Sequence, residues 1–388
     1  MKIAAIETFV LRLNAQAAYL GELQDGSAPP SGYAVRRPWR SIYSDRYETM
    51  LVRVTAEDGT CGWGEALAPA APEVPAAIVD LLLAPVVIGM DAVSPRPTWY
   101  RLRDLMRERG HLVGHQADAL AAVDIALWDL AGRLTGQRVV DMLGGAFREV
   151  VPTYVSGLPR PSDPERAELA RDWATGGARS VKLALGFGVA EDLATVDAVQ
   201  AAAPDLRVAV DAHWVYSVTD ALRLARGLEK RDSWFLEAPL APEDIVGHSE
   251  LVARSAVPIA IGEALRNRYE FAQWLDARAL RIAQPDVARM GITEAMAIAE
   301  LCSAHHVPVT PHHSVGFGVA LAAGLHLSAA IADLPAFEYQ PTSIEVGARI
   351  LLEPLTVEPD GISLPCGPGL GVEVDAETVI SLAKESRP

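Results

Sequence analysis

Asp211, Glu237 and Glu263 stand 26 residues apart in both intervals, and each closes a short apolar run. The runs are Arg207-Val-Ala-Val-Asp211, Trp234-Phe-Leu-Glu237 and Pro258-Ile-Ala-Ile-Gly-Glu263. A short apolar run of this kind reads as a buried parallel strand, and the interval matches one strand-helix unit. Few folds place acids at the C-terminal ends of successive parallel strands at a fixed period. In a (β/α) barrel all of those ends converge on one face, where active sites are built. Three converging carboxylates repel one another and are costly to desolvate, and a hard divalent cation with oxygen ligands resolves that cost. The plainer alternative is three unrelated strand-end acids, against which the even spacing weighs.

The period extends beyond these runs. Strand candidates lie at residues 151–155, 180–185, 207–211, 234–237, 258–263, 280–284, 307–310 and 337–339, starting 22 to 30 residues apart and separated by Ala-rich helical stretches. No sequence motif is copied from unit to unit, which argues against a solenoid or propeller. The preceding region differs. Strand-like segments at 3–11 and 49–55, the hairpin signal Glu57-Asp-Gly and the following Gly62-Trp-Gly-Glu65 predict a small α+β domain. Residues 21–44 are rich in Gly, Pro and Ser and predict a long loop, of the kind that forms lids, carrying Tyr33, Arg36, Arg37, Trp39, Arg40 and Tyr43. A helix is predicted over 119–132, with Asp118 as its N-cap and Gly132 and Gly136 at its end. A chain of 388 residues is expected to form about two domains. We divide it into an α+β capping domain at 1–117, a barrel at 118–347, and a segment at 348–388 that returns to the capping domain.

A formal charge of −16 leaves no electrostatic footprint for nucleic acid or an anionic membrane. The thiols, Cys61, Cys302 and Cys366, form neither a disulfide framework nor a zinc pattern, which suits a reducing cytoplasm. The N-terminal residues alternate like a strand and include Glu7, unlike an export signal. The apolar stretch 319–334 holds His326 and Asp333, is too short to span a bilayer, and reads as a buried barrel helix. The expectation is a cytoplasmic, homo-oligomeric enzyme.

The segments 122–132, Leu-Gly-Gly at 143–145, Val-Asp-Ala at 210–212, Phe-Leu-Glu-Ala-Pro at 235–239, Ile-Gly-Glu at 261–263 and Gln-Pro-Asp at 284–286 together resemble the enolase superfamily, over nearly the whole chain. The resemblance implies a modified (β/α)7β TIM-type barrel under an N-terminal α+β capping domain. It implies one Mg2+ on Asp211, Glu237 and Glu263, binding a substrate carboxylate and stabilising the dianion formed when the α-proton leaves. His312 ends strand seven and Asp286 ends its neighbour, strand six, so Asp286 can hydrogen-bond the imidazole and fix its tautomer. This pair is similar to the His-Asp dyad of the mandelate racemase group. Muconate-lactonising relatives place a lysine at the position of Asp286. Glu338 on strand eight matches a glutamate that hydrogen-bonds the substrate carboxylate, and is expected to be protonated or sharing a proton. Alternation points His313 away from His312. His111, His115, His248, His305, His306 and His326 read as structural.

The departure from the family pattern is on strand two. Most relatives carry Lys-x-Lys there, the second lysine serving as a base on the opposite face of the substrate. This chain has Lys182-Leu-Ala184, so a methyl group stands at that position. Lys182 either faces the metal-bound carboxylate or satisfies buried carboxylates such as Asp211. His213 replaces the usual asparagine, as in mannonate and galactonate dehydratases, where that histidine takes part in acid-base chemistry. Two residues along a strand would put it on the side of Asp211; alternatively it only hydrogen-bonds that carboxylate. Together these residues imply an acid-sugar dehydratase. His312 removes the α-proton, His213 protonates the departing β-hydroxyl, and the enol becomes a 2-keto-3-deoxy acid. Arg36, Arg37 and Arg40, with Tyr33 and Trp39, would bind the far end of a polyhydroxy acid, or form a solvated basic loop. Stretches at 186–193 and 367–371 are similar to sugar-lactone cycloisomerases of the same superfamily, so cycloisomerisation or epimerisation is an alternative, as is a barrel that binds metal and ligand without turnover.

Overall fold

The computed structural model describes residues 1–14, 32–36 and 38–386. Strands Ile3–Leu13, Tyr47–Ala56 and Cys61–Ala66 form an antiparallel sheet in that order. The turn between the last two is set at Gly59, whose φ of 89° favours glycine, and at Asp58, whose side chain accepts from the Thr60 N–H at 2.9 Å. Part of the expected loop is instead a second hairpin, Tyr33–Arg36 with Ser41–Ser44. Its outward Val35 and Ile42 are exposed and its strands are short, so it lacks the half-buried alternation by which a strand is recognised.

The capping sheet lies against the helix His115–Thr135, nearly all of which is buried. This helix begins before the predicted start. Asp118 lies within its first turn and pairs with Arg266 at 3.2 Å, so it is not the N-cap. The helix ends on Gly136 in the left-handed region, φ 69°. Gly62 and Gly64 explain the Gly-Trp-Gly motif: a Cβ at either would come within 2.3 Å of the carbonyl of Ala126 or 1.9 Å of that of Ala122. Strand backbone therefore touches helix backbone. Buried carboxylates fasten this seam. Asp129 accepts from the backbone N–H of Trp63 and of Leu370, each at 2.8 Å, and Asp124 accepts from Thr293 N at 2.8 Å and Oγ at 2.7 Å. Each such N–H, if orphaned, would cost about 1–3 kcal/mol.

The barrel strands run parallel: Val150–Gly157, Ser180–Ala184, Arg207–Asp211, Leu236–Glu237, Ile259–Ile261 and Ile282–Ala283, with Phe337–Tyr339 closing on the first. The seventh expected strand is reduced to isolated bridges from Ala283 to Val309 and from Asp286 to His312. Pro308 and Pro311 supply no N–H, so only Thr310 and His312 donate to strand six, at 2.9 and 3.1 Å. Seven helices alternate with the strands, Asp163–Thr175 first and Val319–Ala329 last. The last is buried throughout, and among the described residues no helix is long and apolar enough to cross a membrane.

The C-terminal segment divides between two places. Gly361–Ser363 pairs antiparallel with residues 150–152, the stretch of the first barrel strand that precedes its pairing to strands eight and two. The strand-like segments thus extend the barrel sheet, contrary to the expectation that they return to the capping domain. The final helix, Ala376–Glu385, does reach it: Ser386 just beyond accepts from the Arg12 backbone N–H at 2.9 Å and from its guanidinium at 2.8 Å, and Arg349 donates to the Asn14 carbonyl at 3.4 Å.

Candidate active site

The strand order puts Asp211 beside Glu237 in register, with Glu237 opposite Ala260 on the next strand. The barrel mouth is thereby lined with carboxylates in a mostly dry setting. Burial pushes Asp211 up to about 7 and Glu237 up to about 8, the charge of Lys182 offsetting only part of the effect. Lys182 lies 2.8 and 2.9 Å from the two oxygens of Glu237 and 2.7 Å from Glu338 Oε1. Of the buried carboxylates weighed from sequence, the partners at this distance are Glu237 and Glu338, not Asp211. Gln284 Nε2 donates to Glu237 at 2.6 Å, and the Trp214 indole donates to Glu263 at 2.8 Å.

His312 lies between strand ends. Its Nδ1 is 2.7 Å from Asp286 Oδ2, while Nε2 is 3.0 Å from Glu263 Oε2 and 3.9 Å from Glu338 Oε2. Burial opposes its charge, but Glu338, Asp286 and Glu263 together raise its pKa well above the usual imidazole value. Burial likewise disfavours the Glu263 anion, yet the hydrogen bond and charge of His312 hold that carboxyl well below the usual range. Asp286 is also held low by His312, against its burial, and its second oxygen caps the helix Val287–Ala304 by accepting from Ala288 N at 2.8 Å. His313 turns the other way. Its ring nitrogen is 3.2 Å from Ser343 Oγ, and burial brings its pKa down to about 4.

Two expectations need correction. Glu338 is not favoured as a protonated acid: burial works against the anion, but Lys182 and then His312 pull its pKa below the ordinary value, and Tyr154 donates a hydrogen bond at 3.2 Å. His213 does not continue the strand, which ends at Asp211. The chain turns there with φ of 48° at His213 and 62° at Trp214, conformations that non-glycine residues hold only when their surroundings impose them. The turn, not strand alternation, brings the His213 N–H to Asp211 Oδ1 at 2.9 Å and its Nδ1 to 3.4 Å. Burial brings its pKa down to about 4.

The capping hairpin contributes unevenly. Trp39 is buried, donates its indole N–H to the carbonyl of Leu185 at 2.7 Å, and stacks on His213 at 4.1 Å. The Arg36 guanidinium lies 5.3 Å from the Trp39 ring. Tyr33 is engaged elsewhere: its hydroxyl donates to Glu48 at 2.8 Å and accepts from Ala71 N at 3.0 Å, tying the hairpin to the cap. Arg40 is exposed, and Arg37 lies outside the described residues. Trp214, Gln284, Tyr154 and Tyr43 were not selected from sequence. Gln284 stood in view beside Asp286. Tyr43, its ring 6.1 Å from that of Trp39, has its pKa raised by burial and by the charges of Asp211 and Glu263.

The donor chemistry suits a cation. Glu237, Glu263 and His312 have ligand atoms within 4.8 Å of one another, and Asp211 adjoins them through its register with Glu237. All of the carboxylate donors are hard oxygens, and Lys182 leaves part of their charge uncompensated.

Residues 165–379 match the family model described as enolase C-terminal domain-like, and residues 39–144 match the N-terminal domain of mandelate racemase and muconate lactonizing enzyme. The chain belongs to the enolase superfamily. Within it the chain is of the mandelate racemase and muconate lactonizing type, and is an enzyme of the lyase or isomerase kind. It is 35% identical to D-galactarolactone cycloisomerase of Agrobacterium fabrum over 87% of this chain and 92% of that one. It is 31% identical to D-galactonate dehydratase of Ralstonia nicotianae over 87% and 91%. A solved enolase-superfamily member from Agrobacterium tumefaciens superposes with a TM-score of 0.93 at 38% identity, covering 98% of both chains.

Proposed function

We propose that this enolase-superfamily enzyme catalyses β-elimination from a sugar acid, in the first instance dehydration of an aldonate or aldarate to a 2-keto-3-deoxy acid. The observation behind this reading is a one-sided base. The His312–Asp286 pair stands at the ends of strands six and seven, while Ala184, in register with Asp211, offers only a methyl group at the end of strand two. A base on one face can remove an α-proton but cannot return it to the other face, which disfavours racemisation. Glu263 helps to raise the His312 pKa, so His312 would be freed to act as a base when that carboxylate holds a cation; His312 then takes the α-proton, and the Cβ–O bond breaks. A departing hydroxide needs a proton, for which His213 is the donor; because burial brings its pKa down to about 4 in the free protein, it must take up that proton with the substrate, and the enol then tautomerises to the ketone. Lys182, held by Glu338 at 2.7 Å, presents its charge to the substrate carboxylate. A Mg2+ on Asp211, Glu237 and Glu263 would supply the positive charge that polarises this carboxylate as the α-proton leaves.

Similarity to D-galactarolactone cycloisomerase favours a second reading, ring-opening elimination from a sugar lactone. The leaving group is then a carboxylate, which requires no proton. The two readings therefore differ in their need for His213. In D2O, with proton NMR and carbonyl trapping on one sample, the unmodified enzyme should exchange the α-proton on one face only and form 2-keto product. His213→Asn should lower dehydration of open-chain acids by about 10²–10⁴. Undiminished turnover of a lactone by that variant would support cycloisomerisation. Rapid α-epimerisation without keto product would overturn both readings.

A further inference from the structure

We infer that Trp39 is a positioning residue that fixes the imidazole plane of His213 and so couples docking of the capping hairpin to assembly of the mouth at strands two and three. Trp39 reaches the barrel from the capping hairpin and is only 4% exposed. Its indole N–H is committed to the Leu185 carbonyl, one residue beyond Ala184, at 2.7 Å. Its ring is nearly parallel to that of His213, with an interplanar angle of 17° and centroids 4.1 Å apart. Phe187 and Tyr43 brace it at 6.0 and 6.1 Å.

His213 needs such a brace. It sits just past the end of its strand at φ 48°, with Ala212 and Trp214 on either side donating to the Glu237 and Ala238 carbonyls, so the backbone is held while the ring is left to side-chain contacts. The interactions holding it on the Asp211 side are its backbone N–H at 2.9 Å and its Nδ1 contact at 3.4 Å. A ring held only at Nδ1 can rock about that atom, and stacking on Trp39 removes this freedom. A proton donor must be aimed at the departing atom, and misplacement by about 1 Å costs on the order of 10²-fold in rate. Because Ala184 leaves the end of strand two without a long side chain, Trp39 can approach His213 from that side.

This inference rests on the role proposed for His213, and its test separates the two. Trp39→Leu, Trp39→Phe, His213→Asn and the Trp39→Leu/His213→Asn double variant are compared as Mg2+-loaded full-length enzymes. Trp39→Leu should lower kcat for dehydration by about 10²-fold with KM little changed. Trp39→Phe, which keeps a stacked ring without the N–H, should recover most of the loss. In the His213→Asn background, Trp39→Leu should add almost nothing, because both changes remove one function. Independently of turnover, the His213 Cε1–H resonance, assigned by its disappearance in His213→Asn, should sit upfield in the parent protein and move downfield in Trp39→Leu. An unmoved resonance, or fully additive rate losses, overturns the inference. Unchanged turnover of His213→Asn would instead remove the acid role proposed above, while the resonance would still report the stacking.

Discussion

Replacing Lys182 by methionine, which keeps the length of the side chain but removes its charge, tests how the mouth is held together. The ammonium lies 2.8 and 2.9 Å from the oxygens of Glu237 and 2.7 Å from Glu338, and all three side chains are 3% exposed or less. Solvent cannot replace the lost cation. Removing one member of a buried ion pair costs about 3–5 kcal/mol, mainly because the stranded charge stays desolvated. Here Glu338 is the charge left stranded, because Glu237, already raised to about 8 by burial, takes up a proton instead, so a loss within that range applies. Glu338→Gln combined with Lys182→Met should recover part of the loss, since the uncompensated charge is gone. Urea unfolding followed by tryptophan fluorescence in the presence of chelator gives the difference directly, and unfolding rates serve if refolding is incomplete. A loss below about 1 kcal/mol, the level of an exposed pair, would refute the picture of Lys182 as the cation that balances these two carboxylates.

Chelation should abolish turnover while leaving the barrel folded. Titration calorimetry should find about one Mg2+ site, weakened in both Glu237→Gln and Glu263→Gln; unaltered affinity in both would remove them as ligands. His312→Asn should lose about 10²–10⁴ in kcat, whereas His313→Asn, whose ring faces Ser343, should keep kcat and lose only stability; the reverse pattern would reassign the base.

The barrel was legible because its period is local and repeated: strand-end acids at a constant interval need no knowledge of tertiary contacts. The direction of His312 against His313 was legible for the same reason, since alternation survives even where the seventh strand is reduced to bridges. That reduction was itself foreshadowed by Pro308 and Pro311. What could not be read depends on partners remote in sequence. Asp118 looks like a helix cap until Arg266 takes it, 148 residues away. Glu338 appears suited to a shared proton until Lys182 is placed 2.7 Å from it. His213 was assigned to a strand because nothing local announces that the chain turns left-handed after Asp211. The hairpin at Tyr33–Arg36 and Ser41–Ser44 hid in a polar, Gly- and Pro-rich stretch because its stabilising contacts lie across the barrel mouth, not along its own alternation.

The seam between capping sheet and barrel bears on how such an enzyme can diversify. Gly62 and Gly64 leave no room for a side chain against the helix His115–Thr135, and Asp129 links that helix to both Trp63 and Leu370. Transplanting a whole capping domain between relatives would require matching backbone surfaces that leave no room for a side chain at Gly62 or Gly64. The hairpin that carries Trp39 bears no such restriction. It meets the barrel through side chains, above all Trp39, so recombination confined to that hairpin can reshape the mouth beside His213 while the seam stays intact.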